Sequence, residues 1–317
     1  MNKVLITLPY FDIKNPDAYN YLTEHDCEVS VIQKETPYTP EEFMEIIGDF
    51  DAAITDLEIW DEAAFKAAKN LKIVARFGVG MDNFDLEAAK KFRITVTNCP
   101  GANATAVGEH TLALLLSLMR EIPKYDRQVR DADWSRPDFQ ELKGKTVSIL
   151  GFGAVGRQSA KKLSGFEVNM LAYDKYPNED AAKELGVKLC SLDEALQNGD
   201  ILLLHLPSLP ETYHLINSET ISKMKDGVII VNVARGVIVD EKAAAEGLRS
   251  GKIAGFASDV FEKEPVEADN PLFAFPNFIG SAHVATDTAQ NFIRLGDVVV
   301  KDVVEALEGK KPKNALV

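Results

Sequence analysis

Cysteine is scarce in this sequence. The three cysteines in 317 residues lie far apart, at Cys27, Cys99 and Cys190. None of them belongs to a CxxC pair or to a Cys/His spacing typical of metal ligands. Because disulfide frameworks and structural zinc sites need such spacings, the sequence predicts neither a disulfide-stapled protein nor a bound metal.

Positive charge is also in deficit. Lys and Arg number 35 against 49 Asp and Glu, which gives a formal net charge of −14 and an isoelectric point near 4.9. A chain this acidic is repelled by the phosphate backbone of nucleic acids and by anionic membrane surfaces. We therefore expect neither as a partner.

Long hydrophobic runs are missing as well. The opening residues, MNKVLITLPYFD, hold an apolar run of five residues, whereas the apolar region of a secretory signal needs about 7–15. No segment approaches the roughly 20 apolar residues of a transmembrane helix. We expect a cytoplasmic protein without membrane spans.

What the sequence does contain is an α/β alternation, over a length that suits about two domains of roughly 100–200 residues each. Short β-rich runs alternate with helical patterns such as residues 40–50 and 61–70. This arrangement is typical of βαβ units and doubly wound parallel sheets. One series of strands is predicted at residues 4–8, 29–32, 51–55, 72–76 and 94–97. A second series is predicted at residues 146–150, 168–173, 201–206, 228–233 and 255–260.

Two helical segments flank the second series. Residues 102–130 include the run TLALLLSLM, whose leucines predict a helix that is buried nearly all round. Residues 286–309 are helical by pattern and follow the last strand. We expect this final helix to return to the first domain.

A glycine pattern follows the first strand of the second series. Gly151, Gly153 and Gly156 form G-x-G-x-x-G between the strand TVSIL and a helical segment. In dinucleotide-binding folds these glycines permit a tight turn, a close approach of the pyrophosphate and packing of helix on strand. The helix start, at Ala154 and Val155, would offer free N–H groups to the phosphates. The pattern predicts a dinucleotide site, with a purely structural glycine turn as the alternative.

An acidic residue lies where such a loop needs one. Asp174 ends the next predicted strand, 23 residues after Gly151, where a carboxylate binds the ribose hydroxyls of the adenosine half. Because a carboxylate would repel a 2′-phosphate, we expect NAD rather than NADP as cofactor. Lys161 and Lys175 weaken this preference.

Further segments resemble the D-isomer-specific 2-hydroxyacid dehydrogenase family. Together with the glycine loop they follow the family's order and spacing over most of residues 75–290. The segments are residues 75–89, 100–116, 209–243, 256–265 and 280–288.

The resemblance implies two Rossmann-like or flavodoxin-like domains, each a doubly wound parallel sheet, with a cleft between them. Residues 1–100 plus 286–317 would form the substrate domain and residues 101–285 the NAD-binding domain. The resemblance also implies a small 2-hydroxy or 2-keto acid as substrate. It further implies a homodimer built through the cofactor domains.

The family's catalytic residues correspond to Arg235, Glu264 and His283. In these roles Arg235 grips the substrate carboxylate and polarises the neighbouring carbonyl. His283 is the general acid that protonates the keto oxygen, and the general base in the reverse direction. Glu264 hydrogen-bonds the imidazole and favours its protonated form. Glu262 is the alternative, but Glu264 directly precedes a proline, as in the family motif.

The resemblance also implies binding residues. Val79 and Gly80 would present backbone N–H groups to the substrate carboxylate, and Asn103 would add a polar contact in the cleft. Asp259 would bind the nicotinamide carboxamide. The residues expected to line the cofactor are Pro207, Thr212 and Val233.

Two stretches depart from the family pattern. Ser281-Ala282 replace the usual Thr-Pro before the catalytic histidine, and Ala285-Thr286 replace the glycine pair after it, so some repositioning of the imidazole is expected. His110 is the one other histidine that we expect near the cleft; the remaining three are expected to be structural.

The second departure concerns the substrate. Family members that use 3-phosphoglycerate tend to carry Arg-Ser after the third strand, whereas this chain carries Asp56 and Glu58 there. Acidic side chains repel a dianionic phosphate. The chain also ends at residue 317 without the regulatory domain of longer phosphoglycerate dehydrogenases. We therefore expect an unphosphorylated 2-keto acid, with D-3-phosphoglycerate dehydrogenase as the alternative.

A third interpretation comes from another functional class. Corepressors of the C-terminal binding protein type share this fold and keep the same three catalytic residues. The three residues alone therefore leave open an NADH-sensing interaction protein.

Overall fold

The structure is a computed structural model of the chain and describes residues 1–32, 34 and 38–317. These residues divide into two compact units. One unit consists of Met1–Asn103 and Asp287–Val317, and the other of Ala104–Thr286. Each unit is built on its own parallel sheet, which confirms the predicted α/β class with two doubly wound sheets.

The strands and helices are numbered in chain order. Within the described residues the strands are β1 (Asn2–Ile6), β2 (Cys27–Val31), β3 (Ala52–Thr55), β4 (Ile73–Arg76), β5 (Thr95–Thr97), β6 (Thr146–Leu150), β7 (Asn169–Tyr173), β8 (Lys188–Leu189), β9 (Ile201–Leu204), β10 (Val228–Asn232), β11 (Ile253–Ser258) and β12 (Phe278–Gly280). The α-helices are α1 (Phe11–Lys14), α2 (Pro16–Glu24), α3 (Pro40–Ile47), α4 (Glu62–Ala67), α5 (Leu86–Phe92), α6 (Ala104–Met119), α7 (Ile122–Arg130), α8 (Ala154–Leu163), α9 (Glu179–Glu184), α10 (Leu192–Asn198), α11 (Ser218–Lys223), α12 (Glu241–Ser250) and α13 (Ala289–Leu307).

The first unit contains a five-stranded sheet in the order β2-β1-β3-β4-β5. Val4 and Ile6 of β1 pack in one core cluster with α2 and α13, whereas Leu5 packs in another with α3, α4 and α5. Because successive side chains of a strand point to opposite faces, helices cover both faces of this sheet. The C-terminal helix α13 belongs to this unit and contributes Val299 and Val303 to its core.

The second unit contains a seven-stranded sheet in the order β12-β11-β10-β9-β6-β7-β8. The chain winds outward from β6 through β7 and β8 and then, in the opposite direction, from β9 to β12. In such sheets ligands bind at the carboxyl ends of the strands where the order reverses. In this sheet that point lies between β6 and β9.

The structure corrects several predicted boundaries. The predicted strand at residues 4–8 ends at Ile6, because the chain turns away towards Pro9, which has no N–H to donate. The two-residue strand β8 was not predicted, since two residues are too few to show a periodicity. The segment 102–130 holds the helix predicted for its apolar run, α6, and a second helix, α7, because Glu121 between them adopts a left-handed backbone with φ of 47°.

The apolar part of that segment packs as expected. Helix α6 lies against α8 and β11 and buries Leu112, Leu115 and Leu118 in the core of the second unit. In the part of the chain that the structure describes, no helix combines the length and the apolar character needed to cross a membrane.

Candidate active site

The predicted site residues of the second unit follow the carboxyl ends of its strands. Gly151 and Asp174 come directly after β6 and β7. Asp259 comes directly after β11, while Arg235 and His283 lie three residues beyond the ends of β10 and β12. Because β10, β11 and β12 are adjacent in the sheet, polar side chains from three neighbouring strands meet at one edge.

His283 and Glu264 are in direct contact at this edge. Nδ1 of His283 lies 2.7 Å from Oε2 of Glu264. The hydrogen bond to Glu264 raises the pKa of His283, against the effects of burial and of the positive charge of Arg235. Burial raises the pKa of Glu264, but hydrogen bonds from His283 and from the N–H of Phe261 outweigh it, so that this pKa is lowered. The arrangement orients the imidazole and favours its protonated form.

The structure also distinguishes Glu264, the residue chosen from the family motif, from the alternative Glu262. Glu262 accepts a hydrogen bond from the backbone N–H of Glu241 at 2.9 Å, and its other oxygen lies 3.1 Å from Nε2 of His214. It is therefore Glu264, and not Glu262, that contacts His283.

Arg235 lies in the turn after β10, where its guanidinium donates to the carbonyl of Ala234 at 2.7 Å. A Cβ atom on the next residue, Gly236, would lie 1.9 Å from the backbone of Phe261. Only a residue without a side chain therefore permits this turn to pack against the segment that leads to Glu264. This packing brings the charge of Arg235 close enough to affect the pKa of His283.

Asp259 is 1% exposed, and its carboxylate is used within the protein. Oδ1 accepts hydrogen bonds from the Ser281 hydroxyl at 2.5 Å and from the N–H of Val284 at 3.0 Å, and Oδ2 accepts from the N–H of Ala285 at 2.9 Å. These contacts hold the segment that carries His283. The predicted bond from Asp259 to a nicotinamide stays a prediction.

The three loop glycines have different local requirements. Gly151 has a φ of 96°, and a Cβ there would lie 2.5 Å from the carbonyl oxygen of His205. A Cβ on Gly156 would lie 2.1 Å from the carbonyl oxygen of Gly151. By contrast, a Cβ on Gly153 would meet open space. These are the turn, close-packing and open-approach positions that a pyrophosphate loop needs.

The start of α8 carries no side-chain cap, which suits an anion. Gly153, at its N-terminus, offers no side-chain oxygen to the first N–H groups. Those N–H groups and the positive end of the helix dipole remain to bind phosphate. Other helices of the described chain begin at side chains that accept such N–H groups, namely Asn15, Thr39, Asp61, Asp85, Asn178, Ser191, Asn217, Asp240 and Thr288.

Asp174 is positioned by the loop itself. Its carboxylate accepts the N–H of Phe152 at 2.7 Å and the N–H of Tyr176 at 2.8 Å. Each oxygen keeps a further lone pair for a ribose hydroxyl. The residues present therefore fit the adenosine and pyrophosphate parts of a dinucleotide.

The neighbouring cofactor candidates lie on the same edge. Thr212 is buried and fixes a turn, because its hydroxyl donates to the carbonyl of Pro207 at 2.7 Å and accepts the N–H of Leu209 at 2.9 Å. Pro207 itself is exposed, and Val233 directly follows β10. Their contacts with a cofactor, and those of Ala154 and Val155, stay predictions.

The predicted substrate residues Val79, Gly80 and Asn103 belong to the first unit. The carbonyl of Val79 accepts from Asn98 at 2.7 Å, and that of Gly80 accepts from Nε of Arg76 at 3.2 Å. Within the described residues neither of these two residues donates its N–H to a protein group. Both N–H groups are thus available to an anion. Asn103, the last residue of the segment Met1–Asn103, is half-buried.

Two contacts between polar side chains, one in each unit, are not predicted by the sequence. Nε2 of His110 lies 3.0 Å from the hydroxyl of Ser281. In the first unit, the guanidinium of Arg76 forms an ion pair with Asp56. Neither contact could be found from sequence spacing, because the partners lie 171 and 20 residues apart. For the residues that the structure describes, no cluster of three metal-ligating side chains is found.

Comparison with known proteins identifies relatives of two named activities. The chain is 39% identical to a D-3-phosphoglycerate dehydrogenase of Archaeoglobus fulgidus over 99% of its own length, but it spans only 59% of the length of that relative. It is 37% identical to a glyoxylate reductase of Thermofilum pendens, over 90% of this chain and 87% of the relative.

The fold and the cofactor domain are matched as well. The structure of D-lactate dehydrogenase from Aquifex aeolicus, complexed with NAD and lactic acid, superimposes with a TM-score of 0.86 at 28% identity and covers all of this chain and 99% of that one. Residues 112–285 match the family model of the D-isomer specific 2-hydroxyacid dehydrogenase NAD-binding domain. The chain therefore belongs to the D-isomer specific 2-hydroxyacid dehydrogenase family, and its cofactor is NAD.

Proposed function

We propose that this chain is an NAD-dependent oxidoreductase that reduces a 2-keto acid to a D-2-hydroxy acid and catalyses the reverse oxidation. The observation that carries the proposal is the 2.7 Å contact between Glu264 and His283. It lies on the same sheet edge as Arg235 and the glycine loop. An acid–base imidazole, a guanidinium and a dinucleotide loop are the parts that hydride transfer to a keto acid requires.

The roles of the side chains follow from their contacts. Nδ1 of His283 is held by Glu264, so Nε2 is the nitrogen that passes a proton to the keto oxygen. Arg235 binds the substrate carboxylate and polarises the adjacent carbonyl. NADH, when bound, supplies the hydride to the carbonyl carbon. The free N–H groups of Val79 and Gly80 are further ligands for the carboxylate.

The proposal also assigns a separate role to each of the two units. Ala104–Thr286 would hold the cofactor and the acid–base residues, since the glycine loop and His283 belong to it. Met1–Asn103 with Asp287–Val317 would hold the substrate through Val79, Gly80 and Asn103. A homodimer built through the cofactor domains is proposed from the family resemblance.

An unphosphorylated substrate is favoured by the ion pair of Arg76 with Asp56. Nε of Arg76 also donates to the carbonyl of Gly80, so this guanidinium lies beside the backbone proposed to bind the carboxylate. Its charge is already matched by Asp56, and Glu58 places a second, buried carboxyl nearby. A dianionic phosphate would have to compete with these acids.

Phosphoglycerate dehydrogenase is the second candidate, because the relative from Archaeoglobus fulgidus carries that name. The two candidates differ in one measurement, the initial rate of NADH oxidation with a panel of 2-keto acids. The panel includes glyoxylate, hydroxypyruvate, pyruvate, phenylpyruvate, 2-ketoisocaproate and 3-phosphohydroxypyruvate.

The expected result is saturable turnover of an unphosphorylated acid, with kcat lowered by about 10²–10⁴ in His283→Asn. Efficient turnover of 3-phosphohydroxypyruvate would support the second candidate instead. Tight NADH binding without turnover of any of the six acids would point to a substrate outside the panel or to the NADH-sensing interaction protein.

A further inference from the structure

We propose that His110, acting through Ser281 and Asp259, is a positioning residue that holds His283 in place for proton transfer. The inference rests on the proposed role of His283 and adds to it a residue of helix α6. No contact between His110 and a ligand is needed, because its effect is transmitted by hydrogen bonds.

The backbone at His283 needs support. Its φ of 55° lies in the left-handed region, which is unfavourable for a residue with a side chain. The conformation is held by Asp259, whose carbonyl accepts the N–H of His283 at 2.7 Å. The carboxylate of the same residue accepts the next two N–H groups, those of Val284 and Ala285. One buried residue thus binds three successive N–H groups of the turn.

Ser281 connects this carboxylate to helix α6. Its hydroxyl lies 2.5 Å from Oδ1 of Asp259 and 3.0 Å from Nε2 of His110. A hydroxyl carries one proton, and the carboxylate can only accept. Ser281 must therefore donate to Asp259 and accept from His110, which places a proton on Nε2 of His110.

The resulting chain of donors runs in one direction, from His110 through Ser281 to Asp259. Nε2 of His110 also lies 3.4 Å from Oδ1 of Asp259, so the imidazole is close to both Ser281 and Asp259. The bond from His110 is among the contacts that hold the pKa of Asp259 below its usual range, against the effect of burial. An ionised carboxylate is the state of Asp259 that can accept the N–H groups of Val284 and Ala285 and the Ser281 hydroxyl together.

The charged groups around His283 and His110 determine how a change in the titration of His283 is interpreted. His283 is acted on by Glu264, Asp259 and Arg235. Glu109 adjoins His110 on α6 and is paired with Lys162 of α8 at 3.3 Å. Replacing His110 by a neutral residue leaves Glu264, Arg235, Glu109 and Lys162 unaltered. A change in the titration of His283 would then report the loss of the hydrogen bonds from His110 to Ser281 and Asp259.

The test compares substitutions that remove or keep each hydrogen bond. His110→Phe and Ser281→Ala remove the donor and the hydroxyl, whereas His110→Gln keeps an N–H donor and Ser281→Thr keeps the hydroxyl. His25→Ala is the matched control, because His25 is an exposed histidine of the first unit that contacts the carbonyl of Tyr21. The two removing variants are expected to lower kcat by roughly ten- to a hundredfold, as for a misplaced catalytic group. The two keeping variants should recover most of that loss, and KM for NADH should change little.

A second readout needs neither cofactor nor substrate. The imidazole proton signals of His283 are followed by NMR as a function of pH in the ligand-free protein. Because a displaced turn weakens the contact with Glu264, the pKa of His283 should fall towards its ordinary value in His110→Phe and Ser281→Ala, and stay raised in His110→Gln, Ser281→Thr and His25→Ala.

An unchanged titration of His283 in both removing variants would overturn the inference, even if their melting temperatures fall, since a purely structural contact would lower stability alone. Should Ser281→Ala fail to fold, the pair His110→Phe and His110→Gln decides the matter. The titration also separates this inference from the proposed reaction. A protein inactive on every keto acid can still show the shift.

Discussion

Glu264 and His283 share a 2.7 Å contact between Oε2 and Nδ1 that raises the pKa of the imidazole. Reduction of a keto acid needs the protonated imidazole. A raised pKa keeps that form populated to higher pH than in an unpaired histidine, and the form is lost as pH rises through the raised value. We expect kcat/KM for reduction to be level below this pKa and to fall about tenfold per pH unit above it.

Glu264→Gln is the direct test of this pH dependence. The amide removes the negative charge, so the pKa of His283 should fall and the descending limb of the kcat/KM profile should move to lower pH. Glu262→Gln serves as the control, since Glu262 contacts His214 instead. If the descending limb of the pH profile stays in place in Glu264→Gln, or moves equally in both variants, Glu264 is not the group that raises the pKa of His283.

Replacement of the acid–base and anion-binding residues should affect different kinetic parameters. His283→Asn or His283→Ala is expected to lower kcat by about 10²–10⁴, the contribution of a positioned general acid. Arg235→Ala should lower kcat/KM severely, and Arg235→Lys should restore little, because an ammonium cannot form the two parallel hydrogen bonds of a guanidinium. Dissociation constants for NADH, from fluorescence titration, should stay close to wild type in all of these variants. Near-wild-type turnover in His283→Asn or Arg235→Ala would refute the catalytic roles of these two side chains.

Two glycines of the loop provide a matched pair of substitutions. A Cβ at Gly153 meets open space, so Gly153→Ala should leave the melting temperature unchanged while it raises the dissociation constant for NADH. A Cβ at Gly156 would lie 2.1 Å from the carbonyl oxygen of Gly151. Gly156→Ala should therefore lower the unfolding free energy by about 1–3 kcal/mol, as overpacking does. Equal effects of the two variants on both quantities would argue against a pyrophosphate at Gly153.

Cofactor choice is expected to depend on Asp174 and only weakly on its basic neighbour. Lys175 is paired with Glu211 at 3.0 Å, and Lys161 lies near the far end of α8, about 10 Å along the helix from its start. Neither is well placed to offset the carboxylate. The ratio of kcat/KM for NADH to that for NADPH should exceed ~10, narrow markedly in Asp174→Ala and change little in Lys175→Ala. A wild-type KM for NADPH equal to or below that for NADH would contradict this preference.

Asp56 is expected to act against phosphorylated substrates. Asp56→Asn would release Arg76 from its ion pair, and kcat/KM for 3-phosphohydroxypyruvate should rise by about tenfold relative to the best unphosphorylated acid, the effect of ~1.4 kcal/mol. Glu62→Gln makes the same charge change at an exposed pair with Lys91 and should leave the ratio unaltered. If both variants shift the ratio equally, net charge rather than Arg76 is responsible.

The sequence by itself determined the local elements and the chemistry of single motifs. The strand TVSIL forms β6 with the predicted bounds, Thr146–Leu150, because its apolar residues suit a strand covered on both sides. Gly151 takes the positive φ that its place in the motif requires. The bounds of a strand and the backbone conformation of a loop glycine depend on neighbours within a few residues, so they can be predicted from the local sequence.

Other features were decided by strand order, which local sequence does not specify. Because β12, β11 and β10 are adjacent in the sheet, residues scattered from Arg235 to His283 meet at one edge. The tertiary structure alone pairs Arg76 with Asp56 and places Glu262 against His214. It also joins His110 to Ser281 across 171 residues. Each of these contacts depends on the packing of elements distant in the chain, and packing is a property of the whole sheet and its helices.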